Sequence, residues 1–306
     1  MHILIAGATG AAGRALIPLL IANGHTVTGT TRSEAKAGKL RTLGAGAQIM
    51  DGLDAASVKA AVEATRPDVI VHQMTALSGI DFKDIDKAFA TTNRLRTEGT
   101  EHLLAAAPDT RLIAQSFAGW PYARTGAPVK TEADALDPEP PKGIRETHAA
   151  IRRLEALTTA AGGIVLRYGG FYGPGTGMGP GGEQVEMIRK RQFPLVGNGN
   201  GLWSFLHADD LATATLAAIE RGRPGEIYNI VDDEPAPVRE WLPFLAAELG
   251  AKPPRHVPAW LARIVASPAA VMMMTESRGA SNAKAKAELG WTPSHPSWRE
   301  GFASAA

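Results

Sequence analysis

Ile3-Leu4-Ile5-Ala6-Gly7-Ala8-Thr9-Gly10-Ala11-Ala12-Gly13-Arg14 opens on four apolar residues and then meets three glycines at even spacing. The apolar run reads as a buried strand, and the Ala/Leu-rich stretch Gly13–Ala22 reads as the helix that follows it. Each glycine has a mechanical role in such a junction. Gly7 permits the tight turn, Gly10 lets the backbone approach a diphosphate, and Gly13 lets helix and strand pack closely. The first helical turn then offers free N–H groups and the positive end of its dipole to an anion. Gly7, Thr9, Gly10, Ala11, Ala12 and Gly13 are therefore expected to cradle the diphosphate of a dinucleotide. The competing reading is a tight strand–helix turn without a ligand.

Outward from this turn, short β-branched runs alternate with stretches of helical period. Strands are expected at Ile3–Ala6, Thr26–Thr30, Gln48–Met50, Val69–His72, Leu112–Gln115, Ile164–Arg167 and Ile227–Ile230. Helices are expected at Gly13–Ala22, Ala55–Ala64, Arg94–Ala106 and Arg145–Ala160. Such alternation implies βαβ units, hence an α/β Rossmann fold with a doubly wound parallel sheet of about seven strands. The Gly/Pro-rich stretch Gly169–Gly182 suits a loop over a ligand. The pattern divides the chain into a dinucleotide-binding domain at 1–168 and 206–232, and a smaller, helix-rich substrate domain at 169–205 and 233–306.

Composition narrows the function. The 306 residues carry 32 Lys+Arg against 31 Asp+Glu, and the cations form no stripe, which argues against nucleic acid as a partner. There is no cysteine, so disulfides, thiolate nucleophiles and Cys-based metal sites are excluded together. The eight histidines are scattered without an i, i+4 pair, and no metal site is expected. The N-terminal apolar run is too short for a secretory core or a membrane span, and Met272–Met274 lies in a patch interrupted by Pro268 and Glu276. A cytoplasmic location with no membrane partner is the expectation.

Coenzyme choice is read at the end of the second strand. An acidic residue there would bind the adenosine ribose and repel a 2′-phosphate. The chain has Thr30-Thr31-Arg32-Ser33 instead. Arg32 can pair with a phosphate and Thr31 adds a hydroxyl, which favours NADP over NAD. The alternative is that Arg32 is a solvated loop charge.

At this point the chain resembles the extended, or atypical, short-chain dehydrogenase/reductase superfamily, the NAD-dependent epimerase/dehydratase group. The resemblance rests on GATGAAGR (Gly7–Arg14), DGLD (Asp51–Asp54), DVIVHQMTA (Asp68–Ala76), LRYGGFYGPG (Leu166–Gly175), FLHADDLA (Phe205–Ala212) and NAKAKAELGWTP (Asn282–Pro293). It implies that Asp51, Gly52 and Leu53 flank adenine and that Gln73, Met74 and Thr75 line the coenzyme phosphates or ribose. It also implies that Tyr168, Gly169, Gly170 and Phe171 lie by the nicotinamide, and that a homodimer forms through the helices around Arg94–Ala106 and Arg145–Ala160.

One departure from that family bears on the chemistry. Its members place a Tyr and, four residues later, a Lys on the helix before the LR motif, and the Lys makes the phenol a usable proton donor. Those places hold Thr147 and Ile151 here, and no Tyr-x-x-x-Lys occurs in the chain. The family's Ser corresponds to Ser116 or the position after it. Ser116 is kept as a catalytic and coenzyme-side candidate, with Thr147, His148 and Tyr172 as the remaining candidates for proton transfer or substrate orientation. For each, packing or a surface hydrogen bond is the alternative.

Substrate clues are apolar. Nucleotide-sugar members carry an Arg before the FLHADDLA-like segment and an Asn after LRY, where this chain has Gly201-Leu202-Trp203-Ser204 and Gly170-Phe171. Trp120, Phe171, Met178 and Trp203 are the substrate candidates, joined by the Met272–Met274 patch, and they suggest a small, neutral or aromatic molecule; core or domain-interface packing is the alternative. Asp209 or Asp210 is expected to cap the helix Leu211–Glu220. The leading expectation is hydride transfer between NADP(H) and a small apolar or aromatic substrate without the Tyr-Lys pair. The alternatives are a sugar-nucleotide epimerase or dehydratase and a non-catalytic NAD(P)-binding redox sensor.

Overall fold

The computed structural model describes residues 1–76 and 84–303. Seven strands form one parallel sheet: β1 (His2–Ala6), β2 (Thr26–Thr31), β3 (Gly46–Ile49), β4 (Val69–His72), β5 (Arg111–Phe117), β6 (Ile164–Tyr168) and β7 (Ile227–Ile230). Their spatial order is β7-β6-β5-β4-β1-β2-β3. The order reverses between β1 and β4, which opens a crevice at the carboxyl ends of these two strands. β1, β4 and β6 are buried on both faces, which is why they read as continuous apolar runs.

Helices cover both faces. The first is α1 (Ala11–Ala22), capped by the Gly10 backbone, and α2 (Glu34–Thr42) follows β2. The third, α3 (Ala55–Thr65), starts at Asp54, whose carboxylate accepts from the Ala56 and Ser57 amides. The helix expected at Arg94–Ala106 is longer. It begins with α4 (Ile85–Arg94), passes through a π-helical turn at Leu95–Gly99 and ends as α5 (Thr100–Ala106). Such turns bulge the helix and re-aim its side chains. The chain continues through α6 (Arg145–Ala160), α7 (Glu183–Arg189), α8 (Ala208–Arg221), α9 (Val238–Glu248), α10 (Ala259–Val265) and α11 (Pro268–Thr275).

Two glycines of the first turn are demanded by the protein's own packing. Gly7 has φ +86°, and a Cβ there would lie 2.8 Å from the Gln73 backbone. A Cβ on Gly13 would lie 2.2 Å from the Ala8 carbonyl oxygen. Gly10 is different, because its Cβ would meet only the Gly7 carbonyl, at 3.8 Å.

One core is shared by β1, α1, β6 and α8, and another fills the opposite sheet face around Val58, Ile70 and Leu103. A separate aromatic core gathers Tyr172, Phe205, Trp241, Trp298 and Phe302. It joins α9 to a parallel pair of short strands, Gly170–Tyr172 and Phe205–His207. The cap of α8 corrects the expectation for Asp209 and Asp210. His207 is the capping residue, its ring nitrogen accepting from the Asp209 amide, while Asp210 takes the backbone amides of Ser294 and His295. The chain turns helical one residue before Asp209, so the carboxylates fall inside the first turn. No helix among the described residues is long and apolar enough to cross a membrane.

Candidate active site

A cavity of about 490 Å3 lies at the carboxyl ends of β1, β4, β5 and β6. Its floor is Gly7, Gly10, Ala11 and Ala12, where α1 begins. Gln73 and Thr75 continue from β4, Gln115, Phe117 and Trp120 from β5, and Gly169, Gly170 and Phe171 from β6. Met178, Met187, Trp203 and Met273 form the outer wall, with Ile85 and Phe89 from α4. The Arg14 guanidinium donates to the Gly175 carbonyl at 3.0 Å and so ties α1 to the glycine-rich loop above the floor.

Two features of this floor fit a dinucleotide. Nothing within the protein requires a glycine at position 10, yet a side chain there would occupy the space an approaching diphosphate needs. Gln73 is buried at the cavity with its side-chain carbonyl oxygen lacking a partner. A buried acceptor left unpaired is costly unless a ligand supplies the donor.

The cavity gathers Gly7, Gly10, Ala11, Ala12, Gln73, Thr75, Gly169, Gly170 and Phe171 from the expected coenzyme residues, and all four substrate candidates, Trp120, Phe171, Met178 and Trp203. The others stand outside its lining. Gly13 packs on Ala8, and Thr9 lies beside the floor. Thr31 is buried and accepts from the Ser33 amide, while Arg32 is exposed at the end of β2. Asp51 accepts from the Leu53 amide, Gly52 packs on Met74, and the Tyr168 ring is buried behind the wall.

None of the four catalytic candidates reaches the cavity, and each has other work. Ser116 donates to Glu155 Oε1 at 2.6 Å, and Glu155 pairs with Arg167 through bonds of 2.8 and 2.6 Å. Strand alternation turns Gln115 and Phe117 inward and Ser116 away. Thr147 is fully buried, donating to Asp86 at 2.8 Å and accepting from Asn93 at 3.1 Å. His148 donates through Nε2 to the Pro121 carbonyl and accepts from Arg152 at Nδ1, and burial lowers its pKa, so it stays a neutral structural imidazole. Tyr172 sits inside the aromatic core between Phe205, His207 and Phe302, where burial pushes its pKa up. A phenol so placed cannot deliver a proton to the cavity.

The sequence reading missed Gln115, Phe117 and Phe89 in the wall, while Met273 of the expected Met272–Met274 patch does line it. It also missed that His207, Asp209 and His295 come together, with ligand atoms within 4.8 Å of one another. The two imidazoles are stacked, with centroids 3.7 Å apart and planes inclined by 27°. Ligand lone pairs lie in the ring plane, so rings stacked in this way do not converge on one ion.

A Rossmann sheet with a ligand-sized cavity at its glycine turn defines a dinucleotide-dependent class of protein. Residues 3–231 match the model of the NAD dependent epimerase/dehydratase family, and the chain belongs to that family. It is 43% identical over 312 residues to the 3-diazoavenalumate denitrifying reductase of a Streptomyces species, the match covering 99% of each chain. It is 29% identical over 270 residues to the 4-hydroxy-2-methyl-3-oxo-4-farnesyl-3,4-dihydroquinoline-1-oxide ketoreductase of Stigmatella aurantiaca, covering 82% of this chain and 74% of that one. The UDP-glucose 4-epimerase of Thermotoga maritima shares the fold, with TM-score 0.79, 22% identity and coverage of 100% and 97%. The protein is an NAD(P)-dependent oxidoreductase.

Proposed function

We propose that the protein uses NADPH to reduce an electrophilic aromatic substrate of the arenediazonium class, replacing the diazo group by hydrogen. The observation that carries this reading is the composition of the cavity wall. Among the described lining residues Glu183 alone is ionisable, and the rest are apolar, aromatic or neutral polar. Reduction of a carbonyl makes an alkoxide and calls for a proton donor, the work of the missing Tyr-Lys pair. An arenediazonium makes no such demand. Hydride and Ar–N2+ together give Ar–H and N2, so the electron pair and hydrogen arrive together and the leaving group departs neutral. The nicotinamide supplies the hydride when bound.

The protein's part is to hold an arene against the coenzyme and exclude water. Phe117, Trp120, Phe171 and Trp203 provide ring faces and edges, and Met178, Met187 and Met273 provide adaptable apolar surface. The named activity of the Streptomyces relative, 43% identical from end to end, supports the same reaction type. NADPH rather than NADH is proposed from Arg32, which is exposed at the end of β2 with no ion-pair partner among the described residues.

The test is anaerobic incubation of an arenediazonium with NADPH deuterated at nicotinamide C4. The expected result is coenzyme oxidation, release of N2 and deuterium at the arene carbon, all well above a protein-free control. Rates no faster than that control across several arenediazonium salts refute the reading.

A further inference from the structure

Trp260, Ile264 and Val265 stand 64%, 74% and 53% exposed on the short helix α10. Among the described residues only three other large hydrophobic side chains, Met1, Ile49 and Val129, are exposed, and they are scattered along the sequence. Single exposed apolar residues need no explanation, but a cluster of them does. The helix has two faces. Ala262 is buried in the aromatic core with Val271 and Met274 of α11, while Trp260, Arg263 and Ile264 share the solvent side through their spacings of three and four.

The charge around this ridge has one sign. Between Glu248 and Glu276 the chain carries no Asp or Glu, but it has Lys252, Arg255, His256 and Arg263, all exposed. Lys252, Arg255 and Arg263 have no ion-pair partner among the described residues. A second basic run lies beside them. The strand pair of His256–Val257 with Leu195–Val196, and a bond of 2.9 Å from Arg191 to the Pro253 carbonyl, bring in Arg189, Lys190 and Arg191, with Glu186 serving both Arg189 and Lys190.

We propose that the outer face of α10 docks the protein on an anionic lipid bilayer. Trp260, Ile264 and Val265 enter the boundary between headgroups and acyl chains, and Lys252, Arg255 and Arg263 rest on the phosphates. Side chains more than half exposed stand out from the surface instead of lining a groove, a shape suited to insertion between headgroups. The sequence reading expected no membrane partner because no segment is long enough to span a bilayer; a helix of seven residues lying in the interface needs no such length. Neither signal suffices alone. Each cation near an anionic surface strengthens binding about fivefold and loses that effect with salt, and the apolar residues hold the contact in place. Since α10 packs on α11, whose Met273 lines the cavity, docking holds the apolar wall close to the membrane. The proposal does not depend on the reaction argued above.

Vesicle binding by the full chain tests this without turnover. The protein is sedimented with vesicles of phosphatidylcholine, and with vesicles of equal parts phosphatidylcholine and phosphatidylserine. The mixed vesicles are expected to bind about a hundredfold more tightly, three cations at about fivefold each, and to release the protein as salt is added. Brominated acyl chains in them should quench tryptophan fluorescence. Trp260→Ser combined with Ile264→Ser is expected to remove the quenching and most of the binding, with NADPH affinity unchanged because both residues are exposed. Lys252→Ser, Arg255→Ser and Arg263→Ser together should remove most of the preference for phosphatidylserine. The proposal is overturned if the wild type stays in the supernatant with both kinds of vesicle, or if either variant binds as the wild type does. A dimer that the Trp260→Ser, Ile264→Ser variant turns monomeric would assign the face to a second copy of the chain and overturn it too.

Discussion

Gln73 donates its side-chain N–H to the Tyr168 hydroxyl at 3.3 Å, and that bond decides which way its carbonyl oxygen faces. The Thr215 hydroxyl already donates to the Leu211 carbonyl at 2.7 Å, so at the 2.7 Å contact between Thr215 and Tyr168 the phenol must be the donor. The phenol oxygen is then free only to accept, and it takes the Gln73 amide hydrogen. Burial pushes the Tyr168 pKa up to about 12, so this proton order persists throughout the working pH range. Gln73, whose residue lines the cavity, therefore keeps its buried carbonyl oxygen as an acceptor without a partner.

If that acceptor meets a hydroxyl or amide of the coenzyme, two substitutions should weaken it. Gln73→Leu removes the oxygen, and Tyr168→Phe removes the anchor that orients it. Each is expected to raise the NADPH dissociation constant by about threefold to tenfold, the range of one neutral hydrogen bond. Titration of nicotinamide fluorescence reads the change directly. Unaltered affinity in both variants would show that the oxygen faces something other than coenzyme.

Ser116 and Glu155 make opposite predictions from those of a catalytic serine. Glu155 and Arg167 form a buried bidentate pair, and Tyr122 adds a bond to Arg167 at 2.9 Å and stacks on it at 5.0 Å. Breaking such a pair from one side costs about 3–5 kcal/mol. Glu155→Gln should therefore lower the melting temperature severely. Ser116→Ala, which removes one neutral donor to a charged acceptor, should cost about 1–3 kcal/mol and leave kcat within about twofold. Thermal melts and steady-state rates measured on the same preparations check both; a large fall in kcat for well-folded Ser116→Ala would restore a chemical role to the hydroxyl.

The contrast between fold and site follows from what each depends on. β1, β4 and β6 were legible because strands buried on both faces must be apolar throughout. The helix α2 was not, since it buries only Ala37 and Leu40 and shows almost no apolar stripe. Motif spacing located the floor, because Gly7 and Gly13 are imposed by backbone approach. Side-chain direction was another matter. On β5 one residue separates Gln115, which faces the cavity, from Ser116, which faces Glu155, and a one-place ambiguity changes the face. Nothing in the sequence pattern singles out Arg96. Only the π-helical turn and the rings of Phe89 and Phe117 reveal it as buried.

Coenzyme selectivity should respond to a single charge. Arg32 is exposed immediately after Thr31, the last residue of β2. Arg32→Glu removes a partner for a 2′-phosphate and puts a repelling carboxylate in its place. The ratio of kcat/KM for NADPH to that for NADH is expected to fall by about tenfold or more, with stability unchanged because the residue is solvated. An unchanged ratio would assign Arg32 to the solvated loop and open the choice to NADH.

The last prediction concerns pH and stability, and it comes from the aromatic core beside the cavity. Asp232 is 1% exposed; its Oδ1 accepts from the Glu234 amide, while Oδ2 has no partner. Burial raises its pKa from 3.8 to about 8, so the folded chain keeps a proton that the unfolded chain releases near pH 4. Across that window unfolding releases the proton, and stability falls as pH rises. The contribution is fully present below about pH 4 and is lost once pH passes about 8. Asp232→Asn mimics the protonated acid and cannot ionise. Melting curves from pH 5 to 9 should therefore slope downward for the wild type and flatten for the variant, which becomes the more stable of the two at pH 9. Parallel slopes would mean that Asp232 is already ionised in the folded protein, with its charge met by a group or water at Oδ2.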